Sequence, residues 1–157
     1  MARARMRSQP ADHTLQATAL VHEAYARLAK RGIAPRDDVG FMFAAARAMR
    51  DILVESARAR QRANRRNWGD LGCGMPASVA DLESTDPDGS LTLALEEAMR
   101  TLEHQEPDLA AVVRLRFFVG LSGERTAAAL ALSPRQVDRL WSYARARLFG
   151  LLKCELR

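Results

Sequence analysis

Between residues 91 and 152 apolar side chains recur every three or four positions, and the pattern breaks once, in the stretch "AALALSPRQVDRLW" at 128–141. A helical stripe runs into Leu130, halts, and restarts at Ser133-Pro134. Ser133, followed by Pro134 and then by Gln136, forms a capping box with proline at the first helical position. Serine and glutamine there satisfy backbone N–H groups that the helix leaves open, and proline has no such N–H to lose. The break therefore predicts two helices joined by a tight turn. Ala127 is small where the two would approach, and Leu130, Leu132, Val137 and Leu140 supply apolar contacts between them. Residues 123–142 read as a helix-turn-helix whose second helix enters a DNA major groove. At its start Arg135, Gln136 and Arg139 point away from the apolar side. Arginine suits guanine edges or phosphate, and glutamine suits adenine. The turn carries Ala131 where glycine is frequent, so the reading requires a left-handed alanine at a cost of about 1 kcal/mol. A plain helix pair with no DNA role is the competing reading of these residues.

The same period governs the rest of the chain. In "TLQATALVHEAYARL" it places Leu20, Ala24 and Leu28 on one stripe with Val21 beside it. In "FMFAAARAMRDILVESARARQRANRR" it buries Phe41, Ala45, Ala48, Met49, Ile52 and Leu53, and sets Arg47, Arg50, Asp51, Val54 and Arg58 on another side. Past Ala57 the apolar stripe fades while Arg58, Arg60, Arg62, Arg65 and Arg66 continue, so that end should project from the core. Residues 69–90 are rich in Gly, Pro, Ser and Asp and read as a flexible linker. Leu91, Leu95, Ala98 and Leu102 then form a new stripe. Pro107 opens the next helix, and Ser122 caps a short one. No run alternates as a strand would. The prediction is an all-α protein of two small helical modules: a basic tail at 1–12, a module at 13–68, an acidic linker at 69–90 and a helix-turn-helix module at 91–157.

Charge sharpens this division. The first 68 residues carry fourteen Lys/Arg against six Asp/Glu, a net of +8. Residues 69–109 carry one against ten, a net of −9, and residues 110–157 carry nine against three, a net of +6. Two basic blocks flanking an acidic segment point to a polyanion such as nucleic acid. Cys73 and Cys154 are too few and too far apart for a disulfide framework, which fits a cytoplasmic protein. No stretch approaches the ~20 apolar residues of a membrane span, and the basic N-terminus leads into no apolar signal core.

Chemistry finds no foothold. His22-Glu23 lacks the second histidine, four residues after the first, that a zinc-protease helix needs; Ala26 stands there. "GDLGCG" is neither a phosphate loop nor a dinucleotide fingerprint. His13, His22 and His104 with two lone cysteines make no metal-ligand spacing. No enzyme activity, cofactor or metal is predicted.

Two separated stretches resemble one family. The first two helical segments resemble part of domain 2 of the extracytoplasmic-function sigma factors, most closely the branch common in acidobacteria and planctomycetes. "ALEEAMRTLEHQEPDLAAVVRLRFFVGLS" with "ALSPRQVDRLWSYARARLF" resembles domain 4 of that branch. Together they cover most of residues 13–152 in the family's order. The resemblance implies a bacterial initiation factor that docks on core RNA polymerase and directs it to promoter DNA. Leu20, Val21, Glu23, Ala24, Arg27 and Leu28 would meet the clamp helices of the polymerase, although part of that face also packs within the chain. The helix at 41–66 would meet the −10 element, with Arg47, Arg50, Arg58, Arg60 and Arg62 on phosphates. The helix at 134–148 would read the −35 element through Arg135, Gln136 and Arg139. An anti-sigma factor is a further partner the resemblance implies.

Departures from the pattern are specific. The resemblance implies another helix ahead of His13, where this sequence has about a dozen residues, a shortened N-terminus that reads either as a start placed downstream of the true one or as a curtailed domain 2. "APRDDVG" carries no aromatic where the branch places a tryptophan that traps a base. Arg125 stands in place of a common Glu, Gln136 of a Thr and Asp138 of a basic residue. The alternative function is a stand-alone helix-turn-helix transcription regulator, which would bind duplex DNA without polymerase. A third reading is an adaptor that binds polymerase and does not open DNA.

Overall fold

A computed structural model describes residues 11–35, 38–63, 86 and 89–155, without the side chains of 11–17, 63 and 154–155. The basic tail through residue 10, most of the expected linker, Arg65, Arg66 and Cys73 lie outside the described residues, as does the side chain of Cys154. Six α-helices follow in order: α1 (Ala11–Lys30), α2 (Val39–Ala63), α3 (Ser90–Gln105), α4 (Pro107–Val113), α5 (Gly123–Leu130) and α6 (Pro134–Glu155). α4 runs on through one π-helical turn, Arg114–Phe118. No strand occurs among the described residues. The fold is all-α, as the apolar spacing predicts.

Local chemistry sets the helix starts. Asp38 Oδ1 accepts the Phe41 backbone N–H at 2.6 Å at the start of α2. The fully buried Asp86 caps α3: Oδ1 accepts from the Leu91 N–H at 2.9 Å, and Oδ2 from the Thr92 N–H at 2.7 Å and from the Thr92 hydroxyl. Pro107 occupies the first turn of α4. Ser122 Oγ accepts the Arg125 N–H at 3.2 Å to open α5.

α2 has two buried faces, and this explains how the halves of the chain meet. Ala45, Ala48, Met49 and Leu53 are buried as the stripe predicts, with Phe41 and Ile52 partly buried against the same core. A second row, Ala46, Val54 and Ala57, is also buried. On that side Arg50, Leu53 and Val54 line a small crevice with Thr92, Leu95 and Glu96 of α3 and Phe118 of the π-turn. Gly89, at the start of α3, seats directly on Ala57. A Cβ there would lie 2.7 Å from Ala57 Cα, and the Gly89 φ of +81° already favours glycine.

The two helical modules therefore share one apolar core. Leu20, Ala24 and Leu28 of α1, Leu91, Leu95, Met99 and Leu102 of α3, Leu109 and Val113 of α4, and Ala144, Leu148 and Leu152 of α6 belong to a single cluster. Two helices alone make a marginal core in a short segment. Here α3 and the π-turn supply the wall that α1 and α2 lack. The segment predicted as linker is also anchored earlier than its composition implies, because Asp86 and Gly89 are both fully engaged.

Candidate nucleic-acid interface

The break at Ser133 is a capped turn in atomic detail. The Gln136 backbone N–H donates to Ser133 Oγ at 3.3 Å, and Gln136 Oε1 accepts from the Ser133 N–H and hydroxyl, both at 2.9 Å. Ala131 adopts the left-handed conformation at φ 54°, the only positive-φ residue other than glycine among those described. Its N–H and that of Leu132 close the end of α5 onto Ala128 and Ala127. Val112, Ala127 and Val137 are buried between the helices, with Leu130, Leu132, Leu140 and Trp141 packed around them. The helix-turn-helix geometry read from the sequence is present, including its strained alanine.

The outer face of α6 is exposed from its first turn onward. Arg135, Gln136, Asp138, Arg139, Ser142, Tyr143 and Arg145 all face solvent. Arg135 and Arg139 make no ion pair among the described residues. Gln136 is exposed, but its amide oxygen holds the capping box, which leaves only its NH₂ group for an outside partner. Arg147, further along, is turned inward: its Nε lies 3.1 Å from Glu106 Oε1 and its NH2 donates to Gln105 Oε1 at 2.8 Å. Trp141 holds the Arg116 guanidinium 5.4 Å from its ring centroid.

The arginines of α2 divide. Arg58 and Arg62 are exposed beyond the end of the core. Arg60 is half-buried, and its NH1 donates to Ser56 Oγ at 3.2 Å. Arg47 is exposed at the rim of a cleft of about 700 Å³ walled in part by Leu28, Arg31, Phe43 and Arg114. Arg50 differs from all of them. Its side chain is only 19 % exposed, its Nε lies 2.8 Å from Glu96 Oε2, and its NH1 pairs with Glu103. Arg114 NH2 lies 2.7 Å from the same Glu103 carboxylate. Burial pushes the Glu103 carboxyl up, but the hydrogen bond from Arg114 and the charges of Arg50 and Arg114 outweigh it and hold the group below its ordinary value. In this arrangement Arg50 is not available to phosphate; it ties α2 to α3. The sequence signal lay in spacing across two segments, with Glu96 and Glu103 seven residues apart on the helix facing Arg50.

α1 divides in the same way. Leu20, Ala24 and Leu28, expected at a partner's surface, are 6, 1 and 2 % exposed and belong to this chain's core. Arg27 is bound internally, with NH2 2.7 Å from Glu55 Oε2 and Nε 3.0 Å from Glu23 Oε1. Its hydrogen bond with Glu55, then that with Glu23, holds the guanidinium above its ordinary value, and the Arg27 bond lowers the Glu55 carboxyl. Val21 and Tyr25, each 51 % exposed and one turn apart, are left facing outward with Glu23. Tyr25 is not among the residues expected from the sequence; the signal that marks it is an aromatic one turn from Val21 and off the Leu20–Ala24–Leu28 stripe.

No group of histidines, cysteines and carboxylates that could hold a metal occurs among the described residues. Among the described residues no helix is long and apolar enough to cross a membrane.

A capped helix-turn-helix with an exposed, arginine-bearing second helix, on an all-α scaffold with a second basic helix, is an arrangement suited to binding DNA. The chain matches the ECF sigma factor family over residues 1–153 and belongs to that family. It is a sigma factor, a regulatory DNA-binding protein whose partners are core RNA polymerase and promoter DNA. No curated protein and no solved structure matches it significantly.

Proposed function

We propose that this sigma factor holds its promoter at two places, with α6 in the major groove of the −35 element and the outer arginines of α2 on the −10 element. The observation that carries the first contact is the pair Arg135 and Arg139, exposed and without an ion pair among the described residues, on a helix whose start is fixed by a capping box. A fixed helix start matters because helix-turn-helix proteins read bases with the first turns of the second helix. For the −10 contact we assign Arg47, Arg58 and Arg62, each of which would add about 0.7–0.9 to the salt dependence of binding per phosphate neutralised. Arg60 is a weaker candidate because it is half-buried and bonded to Ser56. Arg50 is set apart as a residue that joins the halves.

We assign polymerase docking to Val21 and Tyr25 of α1, an exposed apolar pair one turn apart suited to a partner helix, while Glu23, on the opposite flank of α1, pairs with Arg27. An anti-sigma factor would compete for the same surface. The protein would act in the cytoplasm, where its polymerase partner works.

The test is reconstitution. Core RNA polymerase, incubated with the full chain and a pool of promoter fragments, should start transcription at defined sites, and permanganate should react with unpaired thymines near −10. Specific duplex binding by the chain alone, unaffected by polymerase, would instead identify a stand-alone regulator. Polymerase binding without thymine reactivity would identify an adaptor that does not open DNA.

A further inference from the structure

The solvent face of α6 carries one group that the arginine reading does not absorb. Asp138 lies between Arg135 and Arg139, with its side chain 72 % exposed. A carboxylate on a helix that approaches phosphates is repelled, so its presence calls for a compensating contact. Among the described residues, neither the helix dipole nor a partner on the same helix accounts for it. Asp138 is the fifth residue of α6, beyond the first turn in which a negative charge gains from the helix dipole. The neighbours one turn away, Pro134, Arg135, Trp141 and Ser142, give its carboxylate no ion pair or hydrogen bond among the described residues; the Ser142 hydroxyl donates to the Asp138 backbone carbonyl at 2.9 Å. Among the described residues it makes an ionic contact with Arg116 of the π-turn, at 4.0 Å.

Arg116 is placed from behind. Trp141 holds its guanidinium by a cation–π contact at 5.4 Å, and Gly123 leaves it room, since a Cβ there would come within 2.8 Å of Arg116 NH1 and 3.3 Å of Asp138 Oδ1. A cation fixed beside Asp138, on the flank toward α5, offsets part of the phosphate repulsion without covering the carboxylate. At a base edge an ionised carboxylate is purely an acceptor, and the group it matches in the major groove is the cytosine N4 amino group.

We propose that Asp138 is a specificity-determining residue that accepts a hydrogen bond from a cytosine N4 in the upstream promoter element, with Arg116 as its positioning residue. This rests on the reading that α6 enters the major groove. Asp138 then selects cytosine at one position, while Arg135 and Arg139 take guanine or phosphate beside it.

The experiment is selection from a promoter pool randomised through the upstream element, using core polymerase with the full-length chain, its Asp138→Ala and Asp138→Asn variants, all below the variants' melting temperatures. The wild-type chain should enrich cytosine about tenfold at one position. Asp138→Ala should lose that preference and leave the neighbouring ones in place, and Asp138→Asn should move it toward adenine, the base that asparagine matches. If both variants keep the wild-type preferences and bind every sequence more tightly by one common factor, Asp138 is only a repulsive charge and the inference fails. If the wild-type chain enriches upstream sequences with no cytosine position that depends on residue 138, the inference fails while the reading of α6 stands. If it enriches no upstream sequence at all, the reading of α6 fails and takes the inference with it.

Discussion

The arginines of α2 and those of α6 look alike in the sequence and stand in opposite situations in the fold. On α6, Arg135 and Arg139 face water with no ion pair among the described residues. On α2, the central Arg50 is turned onto α3 and shared between Glu96 and Glu103. A basic residue on a predicted DNA-binding helix is therefore not by itself a DNA contact; the carboxylates it can reach decide. The acidic residues near the start of the C-terminal half do more than offset charge. Glu96 and Glu103 hold Arg50, and Asp86 caps the helix that carries them.

The contrast makes quantitative predictions, and the largest concerns the seam itself. Gly89→Val would push a side chain into the Ala57 backbone at a position with φ +81°, and should destabilise the chain by about 3 kcal/mol or more. Thermal unfolding read by circular dichroism would show this, and an unchanged midpoint would mean that the α2–α3 contact does not form in solution. Next is Arg50→Ala, which leaves Glu96 and Glu103, 10 and 23 % exposed, without their shared cation. Breaking a fully buried pair costs roughly 3–5 kcal/mol, and partial exposure reduces this to about 2.

Acid should act on the same contact more gently. The Glu103 carboxyl lies below its ordinary 4.5 in the folded chain, so the stability it contributes is present above that pH and is lost as pH falls through the folded value. Urea midpoints between pH 6 and 3 should fall in the wild-type chain. The fall should be shallower in Arg50→Ala, where much of the pair is already gone. The smallest effect on stability is expected for Arg139→Ala, within about 0.5 kcal/mol, because nothing in the fold holds that side chain. Its cost should appear only on DNA, as a relaxed preference in the −35 element.

Legibility in the sequence followed the range of the interactions. The turn at Ser133 could be read residue by residue, down to the left-handed Ala131, because a capping box and its turn are settled within four or five positions. The start of α4 at Pro107 and the cap at Ser122 were legible for the same reason. The union of the halves was not. It depends on Ala57 meeting Gly89 and on Arg50 meeting Glu96 and Glu103, 46 and 53 residues apart, and periodicity within one segment cannot pair it with another. The α1 residues expected to meet a partner divide between the buried and the exposed side of the helix. Leu20, Ala24 and Leu28 mark the stripe the chain keeps for itself, whereas an outward-facing surface is marked by apolar residues off that stripe, Val21 and Tyr25.

The most direct test of the division between the two helices is to compare Arg50→Ala and Arg139→Ala in promoter-dependent transcription with core polymerase, at a temperature where both variants are folded. The account predicts that Arg139→Ala lowers transcription from a promoter with an intact −35 element about tenfold, the discrimination of one arginine–base contact. Arg50→Ala should transcribe at close to the wild-type rate while melting earlier. An Arg50→Ala chain that melts like the wild type and fails at the promoter, beside an Arg139→Ala chain that transcribes normally, would contradict it.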